Sequence, residues 1–236
     1  MRPIGFSTGA LAKGDFARGL DLQRGAERID AVELSALRDH ELPALAEAAA
    51  SLQLDAFAYV SLHAPSKLQN LDEETVFGLL LRLPEWPIVV HPEILQTPSL
   101  WQSLGRRLCI ENMDDRKTTG RTVEELRELF EIYPDASFCL DLGHARQIDP
   151  TMASALRMLR EFGDRLRQLH VSDVGPRGEH LPLGATARRS FAHVAHRVPG
   201  DCPMIIESII APEAMEQELD FVCAALEMTL THAASA

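Results

Sequence analysis

The chain has no hydrophobic run approaching the roughly 20 residues that a membrane-crossing helix needs, and no apolar stretch of signal length near its start. No membrane association and a cytoplasmic location are therefore expected. Positive charge is scarce: 23 Lys and Arg stand against 35 Asp and Glu, a formal net charge of -12. Such a surface repels polyphosphates, so nucleic acid is disfavoured as a partner. Cysteine is sparse too. Cys109, Cys139, Cys202 and Cys223 lie far apart with no CxxC pairing, which reads as buried thiols in a reducing compartment. There is no GxSxG nucleophile elbow, no GxxxxGK[ST] phosphate loop and no GxGxxG, so the usual signals of serine hydrolases and nucleotide-dependent enzymes are absent. With no linker-like or low-complexity tract, one domain over residues 1–236 is expected.

What remains is an ordinary globular composition, 46% apolar and 25% charged, with a strong repeat. Short apolar, β-rich runs occur at 3–7, 30–34, 56–63, 87–91, 108–111, 137–142, 166–171 and 204–208. Runs of this length without polar alternation suit strands buried on both faces. Helix-like segments follow them at 14–29, 41–52, 72–83, 97–107, 122–133, 150–166, 185–198 and 212–230. Thr122 with Glu125 three residues on resembles a capping box, and Pro150 suits the first turn of its helix. Eight strand and helix alternations at a spacing near 30 residues predict an α/β fold, a single (β/α)8 TIM barrel. An open doubly wound sheet would concentrate its site at one switch point, whereas here the chemistry-bearing residues end at least six strands.

Those residues are His63, His91, Glu111, Asp141 with His144, His170 and Glu207. Five of the nine histidines, these four and His180, fall at or just after a predicted strand end, where chance would put about one or two. Neutral imidazoles and anionic carboxylates converging at one barrel mouth are the donors a divalent cation requires. Glu111 and Glu207 sit among apolar strand neighbours, where an unpaired carboxylate would cost several kcal/mol. His40, His193, His196 and His232 lie on helix-like segments and receive no site role. Glu33 is expected either beside the ligands or holding a loop, and Asn112 as an orienting or substrate-contacting amide. The polar segment 170–184 reads as a loop that folds over a ligand. Its Asp173, Arg177 and His180 suit a metal, a substrate oxygen anion or a phosphate. The Ser7, Thr8 and Gly9 run reads as turn residues.

Taken together, VEL at Glu33, SLHAP at His63, VVHPE at His91, CIEN at Glu111, DLGH at Asp141 and His144, LHVSD at His170, GEHLPLG at His180 and IIES at Glu207 resemble the xylose-isomerase-like TIM barrels across essentially the whole chain. That group includes sugar isomerases, sugar epimerases and endonuclease IV. The resemblance implies that Glu111, Asp141, His170 and Glu207 hold a metal, with the two glutamates as the acid/base pair. For an endonuclease IV-like site it implies further ligands at His63, His91, His144 and His180. The remaining ligand of that larger cluster, an Asp two residues before the last His, falls at Gly178.

The function expected is a divalent-metal-dependent sugar or sugar-phosphate isomerase or epimerase, in which Glu111 or Glu207 moves a proton beside a carbonyl and the cation stabilises an enediolate. The expected cofactor is Zn or Mn, with Mg or Co acceptable to the same donors. The alternative is a multinuclear zinc phosphoesterase. A small carbohydrate or phosphorylated molecule is the expected substrate, and a homodimer the expected assembly.

Overall fold

The computed structural model describes residues 2–227. Ten strands occur among them: β1 (Ile4–Ser7), β2 (Ala31–Ser35), β3 (Tyr59–His63), β4 (Ile88–Val90), β5 (Leu108–Glu111), β6 (Ser137–Asp141), β7 (Leu166–Val171), β8 (Asp173–Val174), β9 (His180–Leu181) and β10 (Met204–Ile206). Eight of them close into a parallel barrel in the order β1-β10-β7-β6-β5-β4-β3-β2, and β8 pairs antiparallel with β9 as a separate hairpin. This is the (β/α)8 barrel expected from the alternation of apolar runs. The helices are α1 (Thr8–Ala12), α2 (Phe16–Gln23), α3 (Leu42–Ala48), α4 (Glu73–Leu80), α5 (Pro98–Gln102), α6 (Val123–Ile132), α7 (Leu142–Ile148), α8 (Ala153–Phe162), α9 (Ala185–Ala195) and α10 (Met215–Glu227). No helix among the described residues is long and apolar enough to cross a membrane. His232 and the end of the eighth predicted helical segment lie outside the described residues.

Three local expectations are corrected. Thr8 and Gly9, read as turn residues, belong to α1, and the exit after β6 is the helix α7 rather than a loop. Both helices are too short for a 3.6-residue pattern to show in the sequence. Pro150 precedes its helix instead of opening it, because Asp149 accepts from Thr151 and Ser154 N–H groups and α8 starts only at Ala153. The Thr122 cap holds, its hydroxyl accepting from the Glu125 N–H.

Strand residues alternate between two environments. Phe6, Leu34, Leu62, Val90, Ile110, Phe138, Leu140 and Ile206 face outward into one large apolar layer under the helices. There α8 contributes Ala155, Met158, Leu159 and Phe162 at helical spacing, and Phe130, Phe138 and Phe162 pack with centroids 5.0–5.9 Å apart. The inward set is different. Val89, Cys109 and Cys139 form a small apolar cluster inside the barrel, separate from that layer. Beyond it, contacts between strands that are not neighbours cross the lumen: Gln168 on β7 donates to Glu33 on β2 (2.7 Å), and Tyr59 on β3 donates to Gln168 (2.7 Å). No disulfide forms among the described residues; Cys109, Cys139 and Cys202 are buried and Cys223 half-buried.

The loop after β3 is tied to the loop after β2 by one carboxylate. Buried Asp39 accepts from the backbone N–H groups of Gln69, Asn70 and Leu71 and from the Asn70 amide. Burial would raise this carboxyl, but the hydrogen bonds from Asn70, Leu71 and Gln69 overcome it and hold it below the ordinary range. A carboxylate depressed in the folded state stabilises above its unfolded pKa, about 3.9, and loses that contribution as pH falls through its folded value. Asp39→Ala is therefore expected to cost about 2 kcal/mol in denaturant unfolding at pH 7, and its deficit against the parent protein should shrink below about pH 4.

Candidate metal centre and active site

The barrel places one ligating residue at the C-terminal end of strand after strand. His63 ends β3, Glu111 ends β5, Asp141 ends β6 and His170 is the penultimate residue of β7; His91 and Glu207 follow β4 and β10 directly. Parallel strands in register bring these ends to one mouth, with Asp141 beside His170 and His63 beside Val89, two residues before His91. Asp141 also caps α7, its Oδ1 accepting from the His144 N–H at 2.7 Å. Its Oδ2 is thereby left pointing into the mouth without a partner.

Glu111 is the hub. Its Oε2 lies 3.2 Å from His63 Nε2 and 3.4 Å from His91 Nε2, and its Oε1 lies 3.3 Å from His144 Nδ1 and 3.4 Å from His170 Nδ1. Glu207 Oε2 approaches His170 Nδ1 (3.3 Å) and His180 Nδ1 (3.6 Å). Donor atoms of Glu111, Asp141, His170 and Glu207 all lie within 4.8 Å of one another, as do those of His63, His91 and Glu111 and those of His63, His170 and Glu207. Glu111 Oε1, Asp141 Oδ2, His170 Nδ1 and His91 Nδ1 are buried with no well-formed hydrogen bond. Orphaned donors of this kind, mixed N and O, fit a divalent cation.

The imidazoles are already turned for that purpose. His63 Nδ1 donates to the Ala64 carbonyl (2.7 Å), which leaves Nε2 as the free lone pair facing Glu111. His170 Nε2 lies 3.1 Å from Glu33 Oε2 and 2.9 Å from Gln168 Nε2, and its Nδ1 faces Glu111 and Glu207. Fixing the far nitrogen in this way sets the tautomer of a ligating histidine.

Charge is balanced by protons in this cluster. Burial disfavours the charged form of His63, but the hydrogen bond and charge of Glu111 outweigh it and raise the imidazole to about 9. His144 is likewise raised to about 10 against burial, by Asp141 and Glu111, and His170 is raised by the surrounding anions. His91 goes the other way, lowered by burial to about 4. Burial pushes the Asp141 carboxyl up to about 6, with Glu111 and Glu207 adding and His144 opposing. Burial also opposes ionisation of Glu111 and Glu207, yet His170 and its neighbouring histidines keep both well below the usual carboxylate range.

Of the residues singled out in the sequence, His63, His91, Glu111, Asp141, His170 and Glu207 form the close groups, and His144 and His180 flank them. Glu33 lies beneath, fully buried and bonded to Ser61, Gln168 and His170, out of substrate reach. Of the two roles expected for Asn112 the geometry fits the orienting one: its Oδ1 accepts from the Asp141 N–H and its Nδ2 donates to the Asp141 carbonyl, so both ends of the amide are spent on β6. Asp173 pairs with Arg146 on α7 and does not line the cavity. Arg177 is turned out to solvent, its side chain 90% exposed against Glu179, because the hairpin of β8 and β9 reverses there. His40, His193 and His196 take no part.

The mouth opens into a cavity of about 470 Å³. Its lining includes Ser66, Lys67, Asp114, Arg116 and Lys117, which no sequence pattern singled out. The one available signal was the polar run DDRK just past the β5 ligand. Arg116 pairs with buried Asp114 and donates to the Arg177 and Gly178 carbonyls, fastening the hairpin tip to the β5 exit. Gly178 has φ +74, and a Cβ there would fall 1.7 Å from the Arg116 guanidinium carbon. The arginine therefore fills the space where a carboxylate side chain would have to stand.

No protein-family model matches the chain, and no curated protein matches it in sequence. Solved structures do match in fold. An L-ribulose 3-epimerase superposes with a TM-score of 0.63 at 15% identity over 100% of this chain and 99% of its own. A 3-keto-D-glucoside 4-epimerase from E. coli gives 0.55 at 14% identity over 95% and 99%. A family 2 AP endonuclease from Brucella melitensis gives 0.51 at 11% identity over 91% and 96%. These likenesses are of fold: the chain shares the (β/α)8 barrel of two epimerases and an endonuclease.

Ligation at this mouth has to displace the proton that His63 holds to about 9 and that of His170, which is raised well above the ordinary imidazole range. Calorimetric titration with Zn or Mn is expected to show affinity falling as pH drops from 8 to 6. Heats at pH 7 should differ between buffers of unlike ionisation enthalpy, whereas equal heats would mean that the imidazoles carry no proton.

Proposed function

We propose that this barrel is a divalent-metal-dependent isomerase or epimerase acting on a small sugar or sugar phosphate by proton transfer beside a carbonyl. The observation that carries the proposal is the pair of buried carboxylates, Glu111 and Glu207, from β5 and from the exit of β10, both reaching His170 Nδ1 at 3.4 and 3.3 Å. Two such groups give a reacting carbon one carboxylate on each side, as removal of a proton from one face and return to the other requires. A bound cation, held by Glu111, Asp141, His170 and Glu207, would supply the positive charge that an enediolate oxygen needs.

The chain's own residues do the rest. Glu207 lines the cavity and is ionised, held so by His170 and His180 against the effect of burial, so it can accept a proton. Glu111 is 1% exposed and braced by four imidazoles, which keeps its carboxylate in one orientation. His144, with Nδ1 committed to the Asn112 carbonyl (3.0 Å), presents Nε2 to the cavity for a substrate hydroxyl.

One observation favours a second reading, a multinuclear phosphoesterase. His63 and His91 add two imidazoles on the far oxygen of Glu111, more nitrogen donors than a one-ion isomerase requires.

Glu207→Gln is expected to lower deuterium exchange at the substrate carbon by about 10²–10⁴-fold while the protein still folds, the contribution of a single general base. Exchange unaffected by that change would remove Glu207 from the reaction. His91→Ala separates the two readings. An isomerase should keep most of its turnover, and a phosphoesterase assayed on a generic phosphate ester should lose it.

A further inference from the structure

The cavity rim is divided in two. Along the arc from β3 to β5 it presents Ser66, Lys67, Arg116 and Lys117; along the arc from β10 through β1 to β2 it presents Ile209, Ala10 and Leu37. Two of the three cations are already neutralised, Arg116 by Asp114 and Lys117 by Glu93 at 2.8 Å. Lys67 has no carboxylate partner among the described residues. Its backbone is nevertheless fixed from both sides. The Ser66 N–H donates to the Leu37 carbonyl (3.1 Å), and residues 69–71 hang on the Asp39 carboxylate. An exposed, unpaired ammonium carried on a tethered loop at the lip of the cavity, in a chain of net charge -12, is open to an incoming anion.

We infer that the substrate is anionic, carrying a terminal phosphate or carboxylate that the Lys67 ammonium and the Ser66 hydroxyl hold. The opposite end of its carbon chain then rests on Ile209, Ala10 and Leu37, and the reacting carbons lie between, over Glu111 and Glu207. This inference rests on the isomerase or epimerase reading for the position of the reacting carbons. The anion subsite stands on the rim geometry alone.

The test is calorimetric titration of the ion-loaded protein with a ketohexose, its 6-phosphate and the matching keto-uronic acid. The protein is expected to bind one of the two anions at least about ten-fold more tightly than the neutral sugar. Lys67→Met, a change at an exposed position, should erase that preference and leave affinity for the neutral sugar unchanged. Whichever anion shows the preference identifies the terminal group. Equal affinities, absence of binding by all three, or a preference that survives Lys67→Met would overturn the inference, the last because the anion would then be sitting on the bound ion. Deuterium exchange in the same samples reports on the reaction separately. A Lys67-dependent preference without exchange sinks the isomerase reading and spares the subsite, and exchange without a preference does the reverse.

Discussion

Four carboxylates buried in one barrel mouth set the terms for everything around them. Glu33, Glu111, Asp141 and Glu207 are themselves at most 7% exposed, so their mutual repulsion is scarcely screened by water. Positive charge must accompany them. With no ion, that charge is supplied by protons on His63, His144 and His170, and a divalent cation is the compact alternative that leaves the same imidazoles neutral. The two states share one scaffold, because His63 and His170 have the nitrogen turned away from Glu111 set against the Ala64 carbonyl and Glu33. The ring orientation is therefore independent of what occupies the near side.

That arrangement divides the labour of the barrel. The apolar layer between strands and helices holds the fold together, while the lumen beyond the small cluster of Val89, Cys109 and Cys139 is given over to polar contacts. A line of hydrogen bonds runs from Tyr59 near the bottom through Gln168 and Glu33 to His170 at the top. Burial raises the Tyr59 hydroxyl and both thiols of that cluster, so none of them ionises near neutrality, and the line conveys position without carrying charge. The metal face is thus aligned by groups at the opposite face of the barrel.

Much of this was legible in the sequence. The eight strands repeat short apolar runs that a doubly covered parallel sheet demands, and a strand's last inward residue is easily picked out when it is a His or Glu among Val, Ile and Leu. Asp141 with His144 was readable for the same reason, although the capping of α7 behind that spacing was not. The residues misjudged or left open share a different cause. Asn112 and Arg177 are polar residues near strand exits, and direction decides their roles: Asn112 turns sideways onto β6, and Arg177 outward at a hairpin too short to register as strands. Lys67 and Arg116 went unnoticed because a lysine or arginine in a loop has no periodic signature. Only the closed ring brings them to the cavity.

The contact between Arg116 and Gly178 constrains how this site can change over generations. Any side chain at 178 collides with the guanidinium, and loss of the guanidinium leaves Asp114, 1% exposed, buried without its counter-charge. A new ligand on the hairpin is thus coupled to two other positions: a side chain at 178 requires Arg116 to move, and moving Arg116 withdraws the hydrogen bonds that join Asp114 to the hairpin tip.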